Sequence, residues 1–371
     1  MRIITASALS AGVGVLNGIY AILKLAPIKK KITLISRQAN TPSIDFKLIE
    51  KAIHKKHPDY QVVILTKTDG NRLAFAFHML KQMRHLATSK AVLIDSYCIA
   101  VSVLKHKPSL QVIQLWHAMG SMKQFGYALI GTEHGTDPEI ARIFKMHHGY
   151  DKILISSKSF LKDYEEGFQM DPAIVEEIPL PKADLLADPK YRSSRRAELL
   201  AKYPVLTERK NILYCPTFRK RPVADTKEKV SALIDAAHKA GYNLLYKPHP
   251  VSDLDLSDCD FLNIPEDSFD LFFVSDYVIS DYSSIIYEAG LAEIPVFLYA
   301  YDWDAYQEEH KLNIDLQHNS PLLFTDDPKK IIKAIENDDF DYDAFTAFIH
   351  DNVKMPEQGS CMDAILRLLK L

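Results

Sequence analysis

Asp276-Tyr277-Val278-Ile279-Ser280-Asp281-Tyr282-Ser283-Ser284-Ile285-Ile286-Tyr287-Glu288-Ala289-Gly290 is the stretch that decides the fold. It opens as a short β-branched run, the pattern of a buried strand, and continues with the helical spacing of Ile285, Glu288, Ala289 and Leu291. Between the two lies Ser280-Asp281-Tyr282-Ser283-Ser284, rich in side-chain oxygens of the kind that cap helices. A strand feeding straight into a helix start gathers free backbone N–H groups and the positive dipole end at one point. The hydroxyls of Ser283 and Ser284 add donors for a phosphate there. Taken alone, the stretch is equally an ordinary capped helix that binds nothing. Residues 294–299 then read as the next strand, giving a strand–helix–strand unit.

A chain of 371 residues is too long for one typical core, which predicts two domains. With 47% hydrophobic and 25% charged residues it is a folded globular protein rather than a disordered one. Its 45 basic and 48 acidic residues leave a net charge of −3, so no basic field points to nucleic acid. Cys98, Cys215, Cys259 and Cys361 form no CxxC pair, which disfavours a zinc site or a disulfide framework and suits a reducing cytosol. Asp338, Asp339, Asp341 and Asp343 read as a solvated helix start, not a metal cage.

The plan repeats on both sides of this stretch. Residues 32–36, 62–66, 91–94, 112–115 and 153–155 read as short apolar strands, with helical spacing over 43–56, 72–87 and 137–148. In the second half the strands fall at 212–215, 244–246, 278–280, 296–299 and 322–324, and the helices near 193–202, 226–240, 284–292, 328–336 and 361–369. Such alternation predicts parallel sheets covered by helices. The prolines of Ile178-Pro179-Leu180-Pro181 mark a hinge. The expected organisation is an apolar segment over 1–30, one Rossmann-like domain over 31–180 and another over 181–371, whose last helix packs back on the first domain. The fold class is α/β, two doubly wound domains facing across a cleft, with ligands at the strand C-termini.

The N-terminus admits three readings. Residues 3–23 carry no charge and are long enough to span a membrane. Gly12, Gly14, Gly18 and Asn17 weaken that reading, and only Arg2 precedes the run, which makes a secretory signal a poor fit. Lys24 and the cluster Lys29-Lys30-Lys31 follow at once, as on a helix lying against an anionic membrane surface. A core helix is the third reading. Peripheral contact is the expectation.

Four polar clusters end predicted strands. The first holds Trp116 and His117, with Gly120, Lys123 and Gly126 close behind. A histidine there can take a proton from an attacking hydroxyl, because its ordinary pKa lies near neutrality; a packed structural histidine is the plainer alternative in a chain with 14 of them. In the second, Pro216 stops a strand and Arg219 stands as a phosphate fork or as part of a solvated basic loop. The third is Lys247-Pro248-His249-Pro250, where two prolines hold His249 in an extended turn. The Ser/Asp helix start is the fourth, with Glu288 one turn in as a ribose acceptor or an exposed helix glutamate. Tyr299, Tyr301, Trp303 and Tyr306 read as core packing rather than as walls of a ligand site.

Together the segments QLWHAMGSMKQFG (114–126), YCPTFR (214–219), KPHP (247–250) and SDYSSIIYEAG (280–290) resemble the CDP-glycerol glycerophosphotransferase family of teichoic acid synthesis. The resemblance covers about residues 20 to 335, and its first segment looks most like the glycerol-phosphate primase branch. It implies a GT-B-like fold with an acceptor domain followed by a CDP-donor domain. It also implies a peripheral enzyme on the cytoplasmic membrane face, acting on a polyprenyl-diphosphate-linked disaccharide. An acceptor hydroxyl attacks the β-phosphorus of CDP-glycerol and CMP leaves.

In this scheme His117 is the general base and His249 stabilises the diphosphate or protonates CMP. Arg219, Lys247, Ser280, Asp281, Ser283, Ser284 and Glu288 serve the donor; Trp116, Gly120 and Lys123 lie on the acceptor side. No cofactor and no obligatory protein-bound metal is expected. CDP-ribitol transfer and polymerase action share these residues. A UDP-sugar glycosyltransferase, a UDP-sugar 2-epimerase and a catalytically silent nucleotide-binding scaffold are the more distant readings.

Overall fold

All five second-half strands of the computed structural model, and the five predicted in the first half, lie within two residues of their expected positions. The structure describes residues 3–68, 70–249, 252 and 254–371. Two parallel sheets carry the fold. The first contains β1 (Lys31–Ile35), β2 (Gln61–Leu65), β3 (Ala91–Ile94), β4 (Gln111–Gln114), β5 (Lys152–Ile155) and β6 (Val175–Glu177), in the order β2-β1-β3-β4-β5-β6. The second contains β7 (Asn211–Tyr214), β8 (Asn243–Tyr246), β9 (Tyr277–Ser280), β10 (Val296–Tyr299) and β11 (Phe324–Thr325), in the order β11-β10-β9-β7-β8. Every pairing is parallel; Ile32 stands between Val62 and Ala91, and Leu213 pairs Val278. Because helices cover both faces, the inner strands β1, β3, β7 and β9 are buried at every position, the reason they read as unbroken apolar runs.

The chain divides into two units. One comprises residues 1–118, 124–182 and 354–371; the other comprises 119–123 and 183–353. The first core gathers Ile35, Leu65, Met83, Val92, Ile94, Val101 and Val112. The second is built on Ile212, Tyr214, Leu233, Ile279, Phe297 and Ile331. At the end of the first unit the Lys182 N–H donates to buried Asp45 (2.8 Å). The C-terminal helix Cys361–Leu368 belongs to that unit as well: Lys56 pairs with Asp363 at 2.5 Å, and the Gln111 amide donates to Leu368 O (3.1 Å).

Two departures from the sequence reading have physical causes, and one expectation is met. The helix expected over 137–148 stops at Ile143, because Lys145 and His147 turn left-handed (φ 45° and 56°). Strand β6 was not expected, since two glutamates in its three residues mask the apolar signal of an edge strand. The acidic stretch 338–343 does open a helix, Tyr342–Asn352, with the Asp341 side chain accepting from the Ala344 N–H.

That last helix explains Gly290. It packs Ile349 and Phe345 against the helix Ile285–Leu291, so closely that a Cβ on Gly290 would lie 2.2 Å from Ile349 Cδ1. Ile349 is buried, so its side chain has to repack within the core to make room. Gly290→Ala is expected to destabilise the second unit by about 1–3 kcal/mol, the usual cost of overpacking. A lowered urea midpoint checks this; an unchanged midpoint would show that the two helices can separate freely.

Candidate active site

In the first unit the site begins where β4 ends. Trp116 adopts φ 61°, a left-handed conformation that bulky residues rarely take and that costs on the order of 1–3 kcal/mol. Its N–H donates to the side-chain oxygen of Gln114, itself fully buried (2.9 Å). The indole lies against His117 (centroids 4.5 Å apart), Phe125 (4.6 Å) and Phe168 (5.2 Å). Two glycines make this cluster possible. A Cβ on Gly167 would come 2.4 Å from the Phe125 ring, and one on Gly126, at φ +58°, would come 2.2 Å from the Gly167 carbonyl.

His117 has solvent access. Its Nδ1 lies 3.0 Å from the Asp95 carbonyl oxygen and 3.2 Å from the Gln38 side-chain amide. An amide group can turn to present its oxygen, but a carbonyl only accepts. The carbonyl therefore fixes the tautomer: Nδ1 carries the proton and Nε2 keeps the lone pair. Desolvation lowers the His117 pKa and the charge of Lys182 adds to that, against the opposing pull of the Asp95 carbonyl. The ring is thus neutral near pH 7 with a basic nitrogen available. His147, by contrast, is buried among the same aromatics with its pKa pushed down to about 3, a packed structural histidine.

The second unit sets its polar residues at the C-terminal ends of β7 to β10, and here several expected roles change. Ser280 is fully buried and donates to the Cys215 carbonyl (2.9 Å), joining β9 to β7. It is an internal tie, not a donor-binding hydroxyl. Asp281 is also fully buried and accepts from the N–H groups of Thr217 (3.0 Å) and Tyr282 (2.6 Å) and from Arg219 Nη1 (2.6 Å).

Arg219 is not a free phosphate fork. Nε and Nη2 donate to the two oxygens of Asp302 (2.6 and 2.8 Å), and Nη1 donates to Asp281 and to the Thr217 carbonyl (2.5 Å). Its side chain is only 6% exposed. Rings of Tyr301, Tyr282 and Tyr306 lie 5.0, 5.6 and 5.6 Å from the guanidinium carbon. Burial disfavours the charge, but Asp281 and Asp302 outweigh it and hold the pKa above the ordinary value. Arg219 is a positioning residue that fixes the loop carrying the serines.

What remains at the surface of that loop is Ser283 and Ser284, both partly exposed. Among the described residues the Ser283 hydroxyl accepts only a long bond from Ile285 N–H (3.4 Å), and Ser284, at the cap position, makes no side-chain capping bond. Lys247 and Glu288 converge on the end of β7, where both act electrostatically on buried Cys215, whose thiol is pushed above its usual range chiefly by burial. His249 is exposed, its ring 5.4 Å from Phe218, with its pKa lowered by desolvation and by Lys123. Pro250, the second proline of that turn, lies outside the described residues.

Lys123 and Gly120 were expected on the acceptor side, yet both belong to the second unit. Residues 119–123 leave the first sheet's loop and join the second unit through a bridge between Lys123 and Leu312 and a bond from Asn313 N–H to the Met122 carbonyl (2.9 Å). The partner residues lie almost 200 positions downstream, out of reach of any local pattern.

Two all-parallel α/β units with their polar residues at strand ends are the architecture of GT-B-type transferases. The solved wall teichoic acid polymerase TagF superposes with a TM-score of 0.77 at 20% identity, over 99% of this chain and 96% of that one. The sequence goes further: the family described as CDP-glycerol:poly(glycerophosphate) glycerophosphotransferase matches residues 19–369, and the chain belongs to it.

Similar curated proteins come from Bacillus spizizenii. A teichoic acid poly(ribitol-phosphate) polymerase is 27% identical over 89% of this chain, which spans only 55% of that protein's length. A teichoic acid ribitol-phosphate primase is 27% identical over 88% of this chain and 87% of its own. A teichoic acid glycerol-phosphate primase is 29% identical over 71% and 68%.

The Arg219 assignment has a direct consequence. Removing one partner from a buried ion cluster typically costs about 3–5 kcal/mol. Arg219→Ala and Arg219→Lys are both expected to lower the denaturation midpoint sharply, since lysine cannot bridge two carboxylates. Unchanged stability with weakened nucleotide binding would instead mark the guanidinium as a ligand group.

Proposed function

We propose that this chain transfers glycerol phosphate from CDP-glycerol to a hydroxyl of a polyprenyl-diphosphate-linked disaccharide, releasing CMP, in the synthesis of teichoic acid or a related surface polymer. The observation that carries the reading is the fixed tautomer of His117, a neutral strand-end imidazole with its Nε2 lone pair free to accept a proton. A silent nucleotide-binding scaffold has no use for that arrangement.

In the step, the acceptor oxygen forms a new bond to the β-phosphorus while the bond from that phosphorus to the bridging oxygen breaks. The acceptor proton passes to His117 Nε2, and the electron pair leaves with CMP. Ser283 and Ser284 donate to the diphosphate and Glu288 accepts from the ribose, with Lys247 beside it. His249 is neutral while no anion is near; a bound diphosphate favours its charged form, the form that protonates the departing CMP. We assign no protein-held metal to the step. Ribitol transfer is the second reading, favoured by the ribitol-phosphate relatives, which are as similar to this chain as the glycerol-phosphate one.

Proton transfer by a placed side chain contributes about 10²–10⁴-fold in rate. His117→Ala is expected to lose CMP release by that factor with CDP-glycerol affinity retained, whereas Ser284→Ala weakens affinity first. In the wild type the rate rises with pH through a pKa below the ordinary imidazole value of about 6.5, as the lowered pKa of His117 requires, and this limb disappears in His117→Ala. Equal loss of donor affinity in both variants would contradict the division of roles.

The location proposed is the cytoplasmic membrane face, held peripherally. The helix Ile3–Leu23 is long and apolar enough to cross a membrane by length and composition. It is nonetheless tied along one side to the first unit: Asn17 donates to the Val103 carbonyl (2.9 Å) and accepts from Lys105 N–H (2.9 Å), and the buried Tyr20 hydroxyl meets His106 (2.9 Å). Its other side exposes Val15, Ile19 and Ile22, and Leu25 follows.

The adjacent helix Arg72–Thr88 exposes Leu73, Phe75, Phe77 and Leu80, the first, third and fourth of them one or two turns apart on a common face. Lys24, Lys29, Lys81 and Lys105 lie in or beside these segments, the composition of a surface that enters an anionic bilayer. Phe77→Ser with Leu73→Ser is expected to lower binding to phosphatidylglycerol vesicles by about tenfold or more, leaving CMP release on a soluble acceptor unchanged. Undiminished flotation with vesicles would contradict this surface.

A further inference from the structure

The mechanism above leaves one charge unused. Lys123 reaches the second unit on the 119–123 excursion, which is held there by the Lys123–Leu312 bridge, by Asn313 N–H to the Met122 carbonyl (2.9 Å), and by the Asn313 amide to the Ser121 hydroxyl (2.6 Å). Its ammonium lies 5.3 Å from the centre of the Tyr306 ring, the same ring that flanks Arg219. Asp281 and Arg219 are the charges it feels, and His249 feels Lys123 in turn. Lys123 therefore lies within electrostatic reach of both the Ser/Asp loop, through Asp281, and His249, the two elements given to the donor.

Among the described residues the Lys123 ammonium makes no hydrogen bond and no ion pair. The carboxylates nearby are already engaged: Asp281 by Arg219 and two backbone N–H groups, Asp302 by Arg219 and the Tyr282 hydroxyl (3.1 Å). Desolvation outweighs the help of Asp281, and the Lys123 pKa falls to about 8. A cation largely removed from water with no counter-ion is stabilised by any anion that arrives beside it.

We propose that Lys123 binds the diphosphate of the cytidylyl donor in the second unit, taking the role that the guanidinium of Arg219 is too fully bonded to fill. The ammonium donates to the phosphate oxygens of the diphosphate that Ser283, Ser284 and His249 also serve. This rests on the donor reading given above. It also gives the excursion of residues 119–123 a purpose: a residue six places after the general base is delivered to the donor's unit.

The test measures binding of CDP-glycerol, inorganic pyrophosphate and cytidine by isothermal titration to the wild type, Lys123→Met and Lys123→Arg. Methionine, one atom shorter, keeps an unbranched side chain beside Tyr306 without the charge. Lys123→Met is expected to weaken CDP-glycerol and pyrophosphate by about 10- to 100-fold, the effect of losing a hydrogen bond to a charged group, with cytidine unaffected and Lys123→Arg within a few-fold of wild type. Wild-type affinity for CDP-glycerol should also fall as pH rises through about 8, a decline absent from Lys123→Met. CDP-glycerol binding that is equal in wild type and Lys123→Met overturns the proposal. If the wild type binds pyrophosphate through Lys123 but not CDP-glycerol, the anion site stands and the donor reading falls; if it binds neither, both fall.

Discussion

Arg219 lies in an almost dry setting between two carboxylates, and the candidate donor site depends on it. Its guanidinium joins the loop after β7, through Thr217, to the loop after β9, through Asp281, and to the loop after β10, through Asp302. Taking three charges out of water is expensive, and the pairs offset that cost only because every oxygen and nearly every N–H meets a partner at good distance. In return, three strand ends have a single arrangement. Asp281 turns inward to serve the cluster and Ser280 turns inward to the Cys215 carbonyl, which leaves Ser283 and Ser284 as the hydroxyls at the surface. The cluster also takes up the guanidinium of Arg219, so that this group is not available to the diphosphate.

The first unit fixes its key group by different means. Among the described residues no ion pair forms at His117; a backbone carbonyl, a strained tryptophan and an aromatic layer hold it. The left-handed Trp116 is tolerated because its indole packs on Phe125 and Phe168, and Phe125 can approach because Gly126 and Gly167 leave room. A carbonyl is a good orienter for a base. It fixes the proton on Nδ1 without adding a negative charge that would raise the pKa beyond the working range.

Much of the fold was legible from local pattern, because parallel strands buried on both faces leave four- or five-residue apolar runs that survive without tertiary context. Strand β6, with Glu176 and Glu177, lacks that signature. The site was legible in part. His117, His249 and the serines stand at strand ends that periodicity locates. The inward roles of Ser280, Asp281 and Arg219 were not, since the partner that redefines Arg219 is Asp302, 83 residues away. Lys123 was assigned to the wrong unit for a similar reason: nothing near it in sequence announces that five residues depart to pair with 312 and 313. The exposed phenylalanines of the helix Arg72–Thr88 read as ordinary helical spacing until the neighbouring apolar helix was seen beside them.

The central claim is a phosphodiester-forming transfer from a cytidylyl polyol donor. The most direct measurement incubates the purified chain with CDP-glycerol and a short-chain lipid diphosphate disaccharide and reads the product by mass spectrometry. The account predicts a disaccharide heavier by a glycerol phosphate unit, with CMP formed in equal amount. A disaccharide of unchanged mass with both CDP-glycerol and CDP-ribitol, together with consumption of a UDP-sugar, would contradict it.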